Sequence, residues 1–336
     1  MNHSDNQTNI IPKILCIALI IVVGLLCISS AQGSIGELLN AGGTHAAPTL
    51  PINIPTVRPT PSYTSPNGQS ASAGETPAPS PTATARPVLG QLTHNGAAEE
   101  IAHHTDSELE FIITRVTREK LVYYTVELAL TSPYQLLTAF AGNRITNRDY
   151  TSNIAQSNDA LLAINGDFCG YNSNGIIIRN GILYRDTAST RSLAVYDSSG
   201  NFSYIPEKDA DAQALIDAGV FHTFSFGPVL VENSQATSDE VIEEHFLSPR
   251  VREPRTAIGQ LGPLHYLILV VDGRQDASQG MLFSELQDTF VSYGVISAYN
   301  LDGGGSSTLY YNGEVINSPC VEGERKVSDI IFFKGA

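Results

Sequence analysis

Positive charge is scarce in this chain: its 336 residues carry 19 Lys and Arg against 34 Asp and Glu, for a formal net charge of −15. A surface of that sign repels a phosphate backbone, so nucleic acid is excluded as a partner. The apolar run from Ile14 to Ile28 would span roughly 22 Å as a helix, short of the ~30 Å bilayer core. Metal-ligand spacing is missing among His103, His104, His222, His245 and His265, which argues against a histidine-built zinc site. No lysine follows the glycines at 303–305, which excludes a phosphate-binding NTPase loop. The closing glycine of a hydrolase nucleophile elbow is also absent after Ser306. No repeat of solenoid or propeller period is present.

What is there begins with an N-terminal export signature. Lys13 precedes the apolar run, no Lys or Arg follows until Arg58, and Ser29-Ser30-Ala31 supplies small residues where a signal peptidase cuts. A cleaved signal peptide and an uncleaved, slightly short anchor both fit this pattern, and both place the remainder outside the cell. Cys16 and Cys27 lie in the run, and Leu26 is too large to precede a lipoprotein cysteine. Beyond it the chain turns rich in Pro, Thr, Ser, Ala and Gly, from Pro48 through Pro61 to Pro87. Such a stretch lacks the bulky apolar side chains that offset ordering entropy and acts as an extended spacer. The expected organisation is a signal peptide or membrane anchor at 1–31, a linker at 32–88 and a globular domain at 89–336. The expected location is extracellular, secreted or held at the cell membrane by the N-terminal segment.

From Leu109 onward the pattern predicts an α+β domain: a mixed β-sheet core with a few helices. Leu109–Thr114 and Val122–Leu130 read as paired strands, and Thr151–Ala155 as a short helix. Ile176–Ile178 and Ile182–Tyr184 flank Asn180-Gly181, the two-residue turn that strand twist favours. Leu193–Tyr196 and Phe202–Ile205 give a second hairpin, and Asp211–Ala218 a helix closed by Gly219. Thr223–Phe226 and Val229–Val231 read as strands, and Thr237–Pro249 as an acidic surface segment. Thr256–Leu261 pairs with the apolar strand His265–Val271. Ser284 is expected to cap a helix with Gln287 reaching back. Strand Ile296–Leu301 follows, which predicts a right-handed crossover between parallel neighbours. Asp272 and Asp302 would then leave one sheet edge, where ligands tend to bind.

Three strand ends share a chemical character. Ala163-Ile164-Asn165-Gly166-Asp167, Val270-Val271-Asp272-Gly273-Arg274 and Asn300-Leu301-Asp302-Gly303-Gly304-Gly305-Ser306-Ser307 each run from apolar residues into ligand-capable ones. Three consecutive glycines carry a large ordering cost and allow backbone N–H groups to approach an anion. With Phe226-Gly227-Pro228, Pro254-Arg255-Thr256-Ala257-Ile258-Gly259, Gly280-Met281, Glu285-Leu286, Asn317-Ser318-Pro319, Arg325 and Val327 in order, the set resembles the phosphodiester glycosidase family. The resemblance implies a single catalytic domain that releases a sugar such as N-acetylglucosamine from a phosphodiester. Its substrate would be a carbohydrate phosphodiester of the cell envelope or an exopolysaccharide. It needs no cofactor, and a Ca²⁺ or Mg²⁺ ion on carboxylates stays open.

A phosphomonoester is a good leaving group, so the demand falls on stabilising an oxocarbenium-like transition state, activating a nucleophile and neutralising phosphate. Asp302, Asp272 and Glu285 are the candidate catalytic carboxylates. Asn165, Asp167, Arg255, Thr256, Arg274, Gly303, Gly304, Gly305, Ser306, Asn317 and Arg325 are the candidate binding residues. Cys169 and Cys320, the two cysteines beyond the apolar run, are expected to pair as a disulfide. Two other readings are a glycan-binding module without turnover and a phosphodiesterase that breaks the P–O bond.

Overall fold

The computed structural model describes residues 86–238, 250–320 and 323–336, which fall in one compact unit. The apolar run, most of the Pro-rich stretch and most of the acidic segment Thr237–Pro249 lie outside the described residues. Among the described residues no helix is long and apolar enough to cross a membrane.

The strands, in chain order, are β1 (Ala97–Thr105), β2 (Leu109–Arg118), β3 (Leu121–Leu130), β4 (Leu137–Phe140), β5 (Leu162–Asn165) and β6 (Ile177–Arg179). Next come β7 (Ile182–Arg185), β8 (Ser192–Tyr196), β9 (Phe202–Pro206), β10 (His222–Phe224), β11 (Val229–Glu232) and β12 (Gln235–Ala236). The last six are β13 (Arg255–Gly262), β14 (His265–Val271), β15 (Ser297–Asn300), β16 (Leu309–Tyr311), β17 (Glu314–Val315) and β18 (Asp329–Phe333). Among the described residues three helices join them: α1 (Thr151–Ser157), α2 (Ala212–Asp217) and α3 (Phe283–Ser292).

An eight-stranded sheet runs β1-β2-β3-β14-β13-β15-β11-β12, and a five-stranded sheet runs β17-β16-β5-β18-β4. Alternation along β14 shows how they pack. Tyr266, Ile268 and Val270 join a core shared with Leu162, Ile164, Ile331 and Phe333 of the second sheet. Leu267, Leu269 and Val271 face the other way, onto Phe283, Leu286 and Phe290 of α3. Because both faces are covered, β3 and β14 are apolar and buried almost throughout. Each large side chain so buried contributes ~1.5–3 kcal/mol. The Phe290 ring sits where a side chain on Gly259 would project, within 3.0 Å of an added Cβ.

The expected strand pairs, the Asn180-Gly181 hairpin, α1 and α2 are all present, and the α+β fold is as expected, although every strand pair among the described residues is antiparallel. Two details differ. β14 and β15 are parallel but not neighbours, because β13 is antiparallel to both and lies between them. Helix α3 starts at Phe283 after Leu282, so Ser284 does not cap it. Instead Glu285 accepts the Leu282 N–H at 3.0 Å, while buried Gln287 donates to the carbonyls of Leu230 and Thr237. Asp272 and Asp302 still leave the same sheet edge, flanking Arg255 at the start of β13.

Candidate functional site

Asp302 stands two residues beyond β15 and is nearly enclosed, its side chain 9% exposed. The Arg325 guanidinium donates to Oδ2 at 2.7 Å, and the Ser306 hydroxyl and the Gly303 N–H add further bonds. Burial nevertheless raises the Asp302 carboxyl above its ordinary value, with Arg325 opposing. The three glycines form a tight turn under it. Gly303 has no room for a Cβ, which would sit 2.7 Å from the Pro254 carbonyl, and Gly304 adopts a left-handed φ of +61°. The turn's N–H groups are largely used within the protein: Gly304 donates to Pro254, Ser306 to Gly303 and Ser307 to Gly304. The glycine run is therefore not a ring of donors awaiting an anion, and its openness serves the arginines instead. An added Cβ on Gly304 would lie 3.2 Å from the Arg274 guanidinium, and one on Gly305 3.3 Å from Arg325 Cβ. Two half-exposed arginines thus flank one turn, at 52% and 43% side-chain exposure. Arg325 is tied to Asp302, and Arg274 to Glu253 at 2.6 Å.

Asp272 ends β14. Its Oδ1 accepts from Asn317 Nδ2 and from the Ser318 N–H, both at 3.0 Å. Burial pushes its carboxyl up to about 6, and those two bonds pull against it. Asn317 also donates to the Ser307 carbonyl and accepts from the Leu309 N–H, so one amide ties the Asp272 carboxylate to the strand that follows the glycine turn.

The other strand end belongs to the second sheet. Buried Asn165 donates to the Asp302 carbonyl and accepts from the Thr256 hydroxyl and the Thr308 N–H. The Asp302 N–H in turn donates to the Gly166 carbonyl. The three strand ends are therefore brought to one place, with Asn165, Thr256 and Asn317 acting as buried ties.

Several expected residues have other work. Asp167 points into the interior, where fully buried Arg179 donates to it at 2.9 Å and to Asp329 at 3.1 Å. Asp167 also accepts the N–H groups of Cys169 and Ser225. It is a buried ion-pair residue under the site. Burial and Asp167 together raise the Asp329 carboxyl. Arg255 is also interior: its guanidinium lies 3.8 Å over the Phe283 ring and donates to the carbonyls of Met281 and Val251. Burial lowers it to about 10. Glu285 holds Arg252 at 2.5 Å and the start of α3, and makes no bond to Asp272 or Asp302 among the described residues. The expected Cys169–Cys320 disulfide is absent, since both thiols are free. Cys169 is buried beside Ser328 and Asp329, whereas Cys320 is part-exposed beside Arg274.

Asp167, Cys169 and Asp329 form the group of possible metal ligands among the described residues. It does not fit Ca²⁺ or Mg²⁺, because Arg179 already pairs with both carboxylates and a thiol is a poor ligand for hard cations. Arg179 and Asp329 escaped the sequence reading; the available signal was a lone arginine closing the apolar run Ile176-Ile177-Ile178.

Comparison with known proteins fits this arrangement. Residues 158–334 match the family model described as phosphodiester glycosidase. The SPbeta prophage-derived uncharacterized protein YomE of Bacillus subtilis is 30% identical over 237 residues, covering 66% of this chain and 36% of that protein. The N-acetylglucosamine-1-phosphodiester alpha-N-acetylglucosaminidase of Homo sapiens is 33% identical over 105 residues, 30% of this chain and 20% of that one. The chain thus spans about a third and a fifth of those relatives' lengths. The zebrafish N-acetylglucosamine-1-phosphodiester alpha-N-acetylglucosaminidase catalytic domain, solved auto-inhibited by its pro-peptide, shares the fold. It superimposes with a TM-score of 0.56 at 21% identity, over 71% of this chain and 88% of that one.

Proposed function

The chain belongs to the phosphodiester glycosidase family, and from that footing we propose that it is an exported hydrolase cleaving the glycosyl–phosphate bond of a sugar 1-phosphodiester. One observation carries the reading. Two buried carboxylates, Asp272 and Asp302, leave the same edge of a sheet, and half-exposed Arg274 and Arg325 flank the glycine turn between them.

Arg274 and Arg325 bind the phosphate, as guanidinium forks suit its paired oxygens. Asp302 stabilises positive charge developing at the anomeric carbon, and Arg325 fixes its orientation. Asp272, with its carboxyl near neutrality, accepts a proton from the attacking water. The water oxygen bonds to the anomeric carbon, the bond from that carbon to the phosphate oxygen breaks, and the phosphomonoester departs. Little general acid is needed for such a leaving group. Asn165, Thr256 and Asn317 keep the strand ends in register, and Arg255 supports the site from beneath.

The activity named for two of the relatives makes N-acetylglucosamine the first sugar to test. The N-terminal apolar run and Pro-rich stretch support an envelope or exopolysaccharide substrate outside the cell, reached by a secreted or membrane-held enzyme. The test is turnover of glycosyl phosphodiesters by the purified chain, alongside Asp302→Asn, which keeps size and most hydrogen bonds. Loss of about 10³-fold or more in kcat, about 4 kcal/mol of barrier, is expected with Tm nearly unchanged. Near-normal turnover would remove Asp302 from the reaction.

A further inference from the structure

Phe168 is the residue that neither the fold nor the proposed chemistry explains. It follows Asp167 and stands three positions after Asn165, with φ +68° and ψ 14°, the left-handed region that bulky side chains seldom adopt. Core packing does not account for it, because the ring is only partly buried. A glycine would adopt this conformation without strain.

The neighbours hold the ring in place. Tyr171 stacks on it with centroids 4.2 Å apart and planes within 6°, while Phe226 meets it edge-on at 6.4 Å. Tyr171 is itself fixed, donating its hydroxyl to the Lys326 carbonyl at 2.7 Å beneath the Arg148 guanidinium at 4.0 Å. Asp167, on the other side, is anchored by buried Arg179. The strained backbone is over-determined from both ends, as at sites built for a ligand.

Its position gives the ring a use. Arg325, which holds Asp302, has its guanidinium carbon 5.8 Å from the Phe168 centroid. That is longer than the 4.0 and 3.8 Å at which Arg148 and Arg255 cover Tyr171 and Phe283, so Arg325 lies over Phe168 at the outer limit of a cation–π contact. An aromatic surface backed on one face therefore lies beside the Asp302–Arg325 pair.

We propose that Phe168, backed by Tyr171 and edged by Phe226, is the wall against which the apolar C–H face of the substrate's sugar ring packs, making it a specificity-determining residue. This rests on the glycosyl-phosphodiester reading of the site. Aromatic faces suit a pyranose because its axial C–H groups present apolar surface to the ring while its hydroxyls stay outward. The wall favours sugars with an uninterrupted C–H face and is indifferent to the phosphate.

Two variants test this, and they separate the wall from the reaction. In Phe168→Leu, KM for a glycosyl phosphodiester such as the N-acetylglucosamine 1-phosphate methyl ester should rise by roughly tenfold or more, with kcat within about threefold. Tm should stay near the parent value, so that the effect is not one of folding. The chain contains no tryptophan, so Phe168→Trp places a single indole on the wall. Its emission should shift saturably with free N-acetylglucosamine and not with inorganic phosphate. If Phe168→Leu left KM within twofold of the parent, the wall would be disproved even with the hydrolysis intact. If the parent hydrolysed no glycosyl phosphodiester, the reaction would fall. A saturable indole response to free sugar would then still support the wall, and a flat response would overturn it.

Discussion

The side-chain amide of Asn165 donates to the backbone carbonyl of Asp302 across 2.7 Å, joining the end of β5 in one sheet to the end of β15 in the other. Its oxygen accepts from Thr256 at 2.8 Å and from the Thr308 N–H at 3.2 Å. A single buried amide thus sets where the Asp302 carboxylate stands relative to the rest of the edge. Asn165→Ala strands a buried hydroxyl, an N–H and a carbonyl at once, and should destabilise by about 2–4 kcal/mol. Urea unfolding measures this, and a change under about 0.5 kcal/mol would mean that the amide is not the tie described. Activity should fall at temperatures where the variant is still folded.

Asp272 couples stability to function through pH. Its carboxyl is raised from 3.8 to about 6 by burial, so the folded state holds the proton more tightly than the unfolded chain. The stabilisation this gives is complete below about pH 4 and is lost as pH rises through 6. Asp272→Asn keeps an acceptor for Asn317 and Ser318 and carries no charge to bury. Above pH 7 it should be more stable than the parent by about 1–3 kcal/mol, with the two converging in acid. Its catalysis should collapse, and in the parent kcat/KM should rise with pH through about 6 as the base ionises. Unfolding at several pH values checks this, and a variant less stable than the parent at neutral pH would contradict it.

Local features of this fold were legible in the sequence, whereas side-chain direction was not. The Asn180-Gly181 hairpin and the apolar strand His265–Val271 follow from turn chemistry and hydrophobic runs, and the three strand ends at one edge follow from placing acids after such runs. Arg255 and Arg274 look alike in sequence as arginines beside strand ends. Arg255, the first residue of β13, is carried onto Phe283, and Arg274, beyond the end of β14, toward the glycine turn. Which way each faces depends on register, where one residue reverses the side. Asp167 reads as a site acid until Arg179, 12 residues on, and Asp329, 150 residues beyond Arg179, close around it. Glu285 was taken from the reaction by Arg252 and the start of α3, a contact no spacing announces.

The arginines should separate by kinetic signature. Arg274 reaches the turn tied to Glu253, so Arg274→Ala should chiefly raise KM, by roughly tenfold, through a lost phosphate contact. Arg325 also orients Asp302, so Arg325→Ala should lower kcat by about 10²-fold as well. Steady-state rates on one phosphodiester distinguish them, and equal effects on kcat would show that Arg325 has no special link to the reacting carboxylate.

The central claim is that the bond broken lies between the anomeric carbon and the phosphate oxygen. Hydrolysis in heavy-oxygen water, followed by mass analysis of the released phosphomonoester, tests it most directly. The phosphate product is the one to read, because a reducing sugar exchanges its anomeric oxygen with solvent. Attack at carbon leaves the phosphomonoester unlabelled and places the heavy oxygen on the sugar, which is the predicted result. A phosphomonoester carrying one heavy oxygen would show that the enzyme breaks the P–O bond and would contradict the account.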